Sequence, residues 1–204
     1  MDKNAIAFFD FDGTLVTKDS LFDIALFYFG SLRFIKGILF FSPFLFLHMT
    51  GLISKKNIKE IYLKIFFGEM NYNSFQNICE SYSKNRIPHI LDKWTFERLL
   101  FHRKNNHRIY IVTASPACWI EPWAITNGID GVISTELIIN DNYMSRVILG
   151  INCSGEQKVH RIMAEFPNIE SKKIFAYGNS KDDLPMLSIA DEAYLNRKLV
   201  NVKK

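Results

Sequence analysis

Residues 5 to 20 read AIAFFDFDGTLVTKDS and set two carboxylates, Asp10 and Asp12, at the end of an apolar run that holds no other charge. Two acids spaced this way can divide the work of a group transfer. One attacks an electrophilic centre and forms an acyl intermediate that water opens, and the other gives and takes the proton. Gly13 and Thr14 follow at once, residue types that let the backbone turn sharply and aim amide N–H groups at an anion. Two carboxylates facing an anion repel it, so such a site requires a cation, and Mg²⁺ suits an oxygen-rich cluster.

The elements that must carry these residues follow from periodicity. Residues 5 to 10 predict a buried strand ending in a turn at Gly13, RIYIVTA (108 to 114) a second, and KIFAYG (173 to 178) a third. Between the first two, from about Asp19 to His107, the spacing is helical. Ser42-Pro43, Gly51, Gly68 and Pro88 divide that stretch into several helices, among them Lys55 to Phe67 and Ser74 to Lys84. Residues 131 to 150 hold two alternating runs around Asn140-Asp141-Asn142 and predict a hairpin. Ser154 and Gln157 stand at capping-box spacing before a helix to about Phe166. A loop and helix run from Ser180 to about Ile189, and EAYL predicts a short final strand. Strands alternating with helices predict an α/β fold with a parallel sheet covered on both faces, whose ligands gather beyond the carboxyl ends of the strands.

Those ends supply Asp10, Asp12, Gly13 and Thr14, then Thr113 and Ser115, then Asn179, Asp182 and Asp183, with Lys158 on a helix between. The set resembles the haloacid dehalogenase-like phosphohydrolases. DFDGTL matches their first motif, IVTAS the second, Lys158 in GEQKVHRI the third and GNSKDDLPML the fourth, in order over essentially the whole chain. The resemblance implies a Rossmann-like core, residues 1 to 17 plus 108 to 204, with an inserted all-helical cap, residues 18 to 107. It also implies a Mg²⁺-dependent phosphatase. In that reading Asp10 is nucleophile and metal ligand, and Asp12 is acid–base catalyst and a ligand through its carbonyl. Asn179 and Asp183 complete the metal set, Lys158 and Thr113 stabilise the phosphoryl group, and Gly13, Thr14 and Ser115 line the phosphate site. The family's fourth motif usually carries an acid where this chain has Asn179. An amide oxygen can ligate Mg²⁺ but brings no charge, so weaker metal binding is expected.

Each residue also has a structural role open to it. Asp12 could cap a turn, Asp183 could close a capping box with Ser180, Lys158 could be a solvated helix residue, and Ser115 could cap the helix after Pro116. Asp182 is expected to be exposed, and Trp119 and Trp123 to share one packed helix face. The five histidines show no ligand spacing.

Composition bounds the rest. With 204 residues, 48% of them apolar, the chain can bury a real core, and a net charge of +4 is too small to argue for nucleic acid. The basic excess is local: residues 18 to 105 hold 13 Lys/Arg against 7 Asp/Glu. Three scattered cysteines, Cys79, Cys118 and Cys153, fit a reducing cytoplasmic compartment, and the opening residues do not read as a secretory signal. From Leu21 to Ile53 the sequence is rich in Phe, Leu and Ile, interrupted by Lys36, Ser42-Pro43 and His48. Buried helix-bundle core is the expectation there, with peripheral contact at the inner face of a membrane as the alternative. The cap's size resembles the phosphoserine phosphatase-like branch. Its aromatic, basic character, with YGNSKDDLPML and NCSGEQK, most resembles phosphatidylglycerophosphatase C-like bacterial proteins. The substrate readings are therefore a lipid phosphate monoester such as phosphatidylglycerophosphate, or a small monoester such as phosphoserine. A weakly active membrane-binding relic of a phosphatase is a third reading, and the oligomeric state stays open.

Overall fold

Five residues without a polar side chain form β1 (Ala5–Phe9), and all five are buried. The structure is a computed structural model that describes residues 5–68, 70–140 and 143–201. After β1 the chain runs through five helices: α1 (Ser20–Met49), α2 (Lys55–Phe67), α3 (Tyr72–Asn85), the single turn α4 (Ile87–Ile90) and α5 (Lys93–Lys104). It then forms β2 (Arg108–Pro116), α6 (Glu121–Thr126), β3 (Gly131–Thr135), β4 (Leu137–Asn140) and β5 (Tyr143–Ile148). The last elements are α7 (Glu156–Glu165), β6 (Lys173–Gly178), α8 (Leu184–Ser188), β7 (Glu192–Leu195) and β8 (Lys198–Val200).

Six strands pair in the order β3-β2-β1-β6-β7-β8, all parallel except β8. β1 sits between β2 and β6, with Phe9 opposite both Ile111 and Tyr177. Side chains alternate across the strand, so Ile6 and Phe8 pack with Ile162 and Met186 under α7 and α8, while Ala7 and Phe9 face the other layer. Each fully buried side chain of this size stabilises the fold by roughly 1.5 to 3 kcal/mol. Both faces of β1 are thus fixed, and its carboxyl end is held in place.

The hairpin expected over 131 to 150 is shorter than its sequence pattern. Residues Gly131–Thr135 instead join the main sheet beside β2, and only β4 and β5 pair antiparallel. The turn expected at Asn140-Asp141-Asn142 includes residues 141 and 142, which lie outside the described residues. The capping box expected at Ser154 and Gln157 does not form. Helix α7 begins after Gly155 (φ +58°) without a side-chain cap, and the Ser154 hydroxyl accepts from Asn152. Strand β8 is an addition to the expected elements. A two-residue turn, Asn196 and Arg197, takes positive φ at both positions, the geometry that matches strand twist in tight hairpins.

Within the helical insert, α1, α2, α3 and α5 each start on a side-chain cap, from Asp19, Ser54, Asn71 and Asp92 respectively. The insert is not uniform. Helix α5 lies on the sheet: His102 bonds the Tyr177 hydroxyl at 2.8 Å, and Trp94 packs on Tyr177 and Tyr194. Helix α1 is broken at Gly30, whose φ of +71° and ψ of 171° are not helical. Further along, Pro43 has no N–H for the Leu39 carbonyl, and the Ser42 hydroxyl donates to it instead at 2.9 Å. The burial expected for Leu21 to Ile53 is only partial. Phe41 is buried, but Leu32, Leu39, Phe40, Phe46 and Met49 are exposed, because α2 covers just one side of the helix beyond Gly30.

Candidate active site

Asp10 is the first residue past β1, and its backbone N–H still donates to the Tyr177 carbonyl of β6 at 2.9 Å. Its side chain is buried between two donors. The Thr14 hydroxyl donates to Oδ2 at 2.8 Å and Lys158 Nζ to Oδ1 at 2.6 Å. Lys158 sits in the first turn of α7 and is 2% exposed, so it is a buried cation rather than a solvated helix residue. The same Nζ donates to Asp183 Oδ1 at 2.6 Å. Asp183 in turn takes the N–H groups of Asn179 and Ser180 and the Ser180 hydroxyl on Oδ2, at 2.9 to 3.0 Å. The capping box with Ser180 therefore forms, and it aims the other oxygen of Asp183 at Lys158.

Asp12 is cradled differently. Its Oδ1 accepts the backbone N–H of Ser20, the first residue of α1, at 2.6 Å, and Oδ2 accepts the Ser115 hydroxyl at 2.5 Å. Ser115 also accepts from the Ser20 hydroxyl at 3.1 Å, which itself accepts the indole N–H of Trp119. The backbone N–H of Ser115 donates to Thr113 Oγ1, leaving the Thr113 hydroxyl proton for another acceptor. In the structure Ser115 thus holds Asp12 instead of capping a helix. Trp119 stands in a short 3₁₀ turn before α6, and Trp123 lies in α6 itself.

Gly13 and Thr14 differ in what they offer. The Thr14 N–H is committed to the Phe11 carbonyl at 3.2 Å, so its hydroxyl on Asp10 is its contact with the cluster. Gly13 has φ +76°, and a Cβ there would lie 2.0 Å from Asn179 Nδ2. Only glycine allows the two loops to meet at this distance.

The charges do not balance. Asp10 and Asp183 share one buried ammonium, and Asp12, held by Ser20 and Ser115, adds a third carboxylate close enough to act on Asp10. Burial raises the Asp10 carboxyl to about 7 against the pull of Lys158, and Asp183 and Asp12 push it further in the same direction. Burial also opposes ionisation of Asp183, but Lys158 and the Ser180 donors hold it below the usual carboxylate range. Lys158 would lose its proton more easily through burial alone, and the two carboxylates hold it well above the ordinary lysine value. A divalent cation would relieve this excess of negative charge. Among the described residues, no group of three Asp, Glu, His or Cys side chains forms a closed metal cage. The donors present fit an open site: carboxylate oxygens of Asp10 and Asp183, the Asp12 carbonyl and the Asn179 amide are the hard oxygens that Mg²⁺ takes while keeping waters.

Two further residues reach the site, and the sequence patterns gave no role to either. Lys59, from α2, donates to the Ala114 carbonyl at 2.7 Å and to Asn152 Oδ1 at 2.8 Å. Burial lowers its pKa to about 8, although Asp12 and Asp19 oppose the shift. Asp19 caps α1, its carboxylate accepting the backbone N–H groups of Leu21 and Phe22. Lys55 and Lys59, four apart, share one face of α2, and Lys55 pairs with Asp182 at 2.6 Å. That spacing was the available signal. Asp182 is half exposed, as expected.

A pocket of about 260 Å³ opens beside Gly13, Thr14 and Asn179, between Trp94 and Tyr194. A larger cavity of about 1060 Å³ lies between α3 and the segment after β2, lined by residues including Phe75, Cys79, Cys118 and Trp123. Asp10, Asp12, Lys158 and Asp183 do not line it.

Residues 7–188 match the family described as haloacid dehalogenase-like hydrolase. The chain is 30% identical over 188 residues to the protein CicA of Caulobacter vibrioides, a match that covers 90% of this chain and 82% of that one. A protein of unknown function from Bordetella pertussis has a similar structure, with a TM-score of 0.75 at 18% identity over 93% of this chain and 88% of that one. A phosphoserine phosphohydrolase-like protein from Francisella tularensis superimposes with a TM-score of 0.62 at 20% identity, covering 95% of both chains.

Proposed function

The chain belongs to the haloacid dehalogenase-like hydrolase family, and from that premise we propose that it is a Mg²⁺-dependent phosphomonoester hydrolase acting through an aspartyl phosphate on Asp10. The observation that carries the reading is the pair of separate cradles. Asp10 shares Lys158 with Asp183, while Asp12, two residues on, is held by Ser20 and Ser115.

In the first step an Asp10 oxygen bonds to phosphorus, the bond from phosphorus to the ester oxygen breaks, and Asp12 gives the departing oxygen its proton. In the second, Asp12 takes a proton from water as that water attacks the acyl phosphate, releasing phosphate and restoring Asp10. Lys158 and the Thr113 hydroxyl supply fixed donors toward the phosphoryl oxygens. Mg²⁺, held by Asp10, the Asp12 carbonyl, Asn179 and Asp183, would supply the charge that lets two carboxylates and a phosphate share one site.

The test is phosphate release from a soluble aryl phosphate with and without Mg²⁺. The expected result is activity that EDTA removes and that Asp10→Asn abolishes. Turnover persisting in Asp10→Asn would exclude the covalent route.

For the substrate, the apolar and basic cap favours a lipid phosphate monoester such as phosphatidylglycerophosphate, met at the cytoplasmic face of a membrane. The likeness to a phosphoserine phosphohydrolase-like structure favours a second reading, a small monoester such as phosphoserine. Relative kcat/KM on phosphatidylglycerophosphate, phosphoserine and a sugar phosphate decides between them.

A further inference from the structure

The part of α1 beyond the break at Gly30 has two apolar sides. One packs inward: Phe34 and Phe41 meet Phe66 and Tyr62 of α2 at ring separations of 5.7 and 5.3 Å. Gly37 allows this approach, since a Cβ there would lie 2.4 Å from the Phe66 ring. The other side faces outward. Leu32, Leu39 and Phe46, spaced by seven, are 78%, 67% and 66% exposed, with Ile35, Phe40 and Met49 beside them. Single exposed apolar residues are ordinary, but a continuous stripe along five turns of one helix marks a contact surface.

Charge decides what it contacts. No Asp or Glu occurs between Asp23 and Glu60, and the Lys and Arg residues of α1 beyond Gly30 are Arg33 and Lys36. Arg33 and Lys36 are exposed and border the stripe. A second copy docked through the same face would bring like charges together with no acid in the patch to pair them. An anionic lipid surface instead meets both features, taking the apolar side chains and neutralising the basic ones.

We propose that residues 31 to 49 of α1 form a docking surface that lies in the plane of an anionic bilayer, with Leu32, Leu39 and Phe46 in the lipid. The proposal does not depend on the reaction assigned to Asp10. The whole of α1 is long and apolar enough to cross a membrane. Crossing would strip Phe41, 3% exposed, from α2, whereas an in-plane helix keeps that packing.

The full chain is sedimented with vesicles of phosphatidylglycerol and phosphatidylcholine in equal parts, and with phosphatidylcholine alone. Binding is expected to the first at least about tenfold more strongly than to the second, and to weaken with salt. Leu39→Ser combined with Phe46→Ser, and separately Arg33→Glu combined with Lys36→Glu, should each weaken it about tenfold or more. Both changes are on the outward side, and unchanged circular dichroism and unchanged turnover of a soluble aryl phosphate check that the fold and the site persist. No binding to the anionic vesicles, equal binding to both kinds, retention of the protein in the membrane through an alkaline carbonate wash, or a solution dimer that the same serine variants dissociate would each overturn the proposal. Loss of aryl phosphate turnover in Asp10→Asn with vesicle binding intact separates the docking from the chemistry.

Discussion

Lys59 of helix α2 donates to the backbone carbonyl of Ala114, at the end of β2, at 2.7 Å. One ammonium from the inserted helices is thereby fastened to the sheet edge that carries Thr113 and Ser115. Lys59→Met keeps the length of the side chain but removes the donor and its charge. Hydrogen bonds from charged groups contribute roughly 1.5 to 3 kcal/mol, so kcat/KM for the true substrate should fall about tenfold to a hundredfold. Steady-state kinetics with a check of folded content measure this, and unchanged kinetics would remove Lys59 from the site.

Asp10 and Lys158 should respond in opposite ways to neutral replacement. Asp10→Asn removes a carboxylate that burial already makes hard to ionise, so the protein should be inactive yet keep its stability within about 1 kcal/mol. Lys158→Met leaves Asp10 and Asp183 facing each other without their shared cation, and a buried pair broken on one side costs roughly 3 to 5 kcal/mol. Urea unfolding of both variants reads the contrast.

At Gly13 two penalties should add. Ala there must hold φ near +76°, costing roughly 1 to 2 kcal/mol, and must displace the Asn179 amide. Asn179→Ala in the same chain should recover the steric share and leave the backbone share. A double mutant no more stable than Gly13→Ala would show that the clash is not what excludes a side chain.

His102 makes stability depend on pH. Burial, with His107 and Arg98 adding to it, pushes the imidazole down to about 3, against an unfolded value near 6.5. A base whose folded pKa is depressed stays neutral in the native state while the unfolded chain takes up a proton. Its contribution is therefore complete above about pH 6.5 and is lost as pH falls toward 3, by up to about 1.4 kcal/mol per pH unit. His107, also pushed down by burial, acts in the same direction. Unfolding free energies at pH 7.5 and 5.5 should differ less in His102→Phe than in the wild-type chain, on the order of 1 kcal/mol less.

EDTA should abolish turnover, and Asn179→Asp should lower the Mg²⁺ concentration that restores half of it, because a carboxylate adds charge where the amide adds none. An unchanged Mg²⁺ titration would remove Asn179 from the ligand set.

The three central strands were legible in the sequence because β1, β2 and β6 are buried on both faces and their apolar runs cannot serve elsewhere. Asp10, Asp12, Lys158 and Asp183 were legible because their order along the chain matches the motifs of the resembled family, the three acids following β1 and β6 and Lys158 lying on α7. Other features depended on partners distant in sequence. The hydroxyl of Ser115 is committed to Asp12, 103 residues away, and Lys59 reaches Asn152 across 93, relations that no local pattern carries. Strand β8 escaped because its turn is made by Asn196 and Arg197 without glycine. The outward side of α1 looked like core because an apolar helix reads alike whether one side is covered or both.

Ser20 stands in two structures at once, as the opening residue of α1 and as the backbone donor to Asp12. Its hydroxyl bridges Trp119 and Ser115 as well, so the root of the insert and the Asp12 carboxylate share one network. A displacement of that first helical turn would therefore take a backbone donor and the Ser115 contact from Asp12 together.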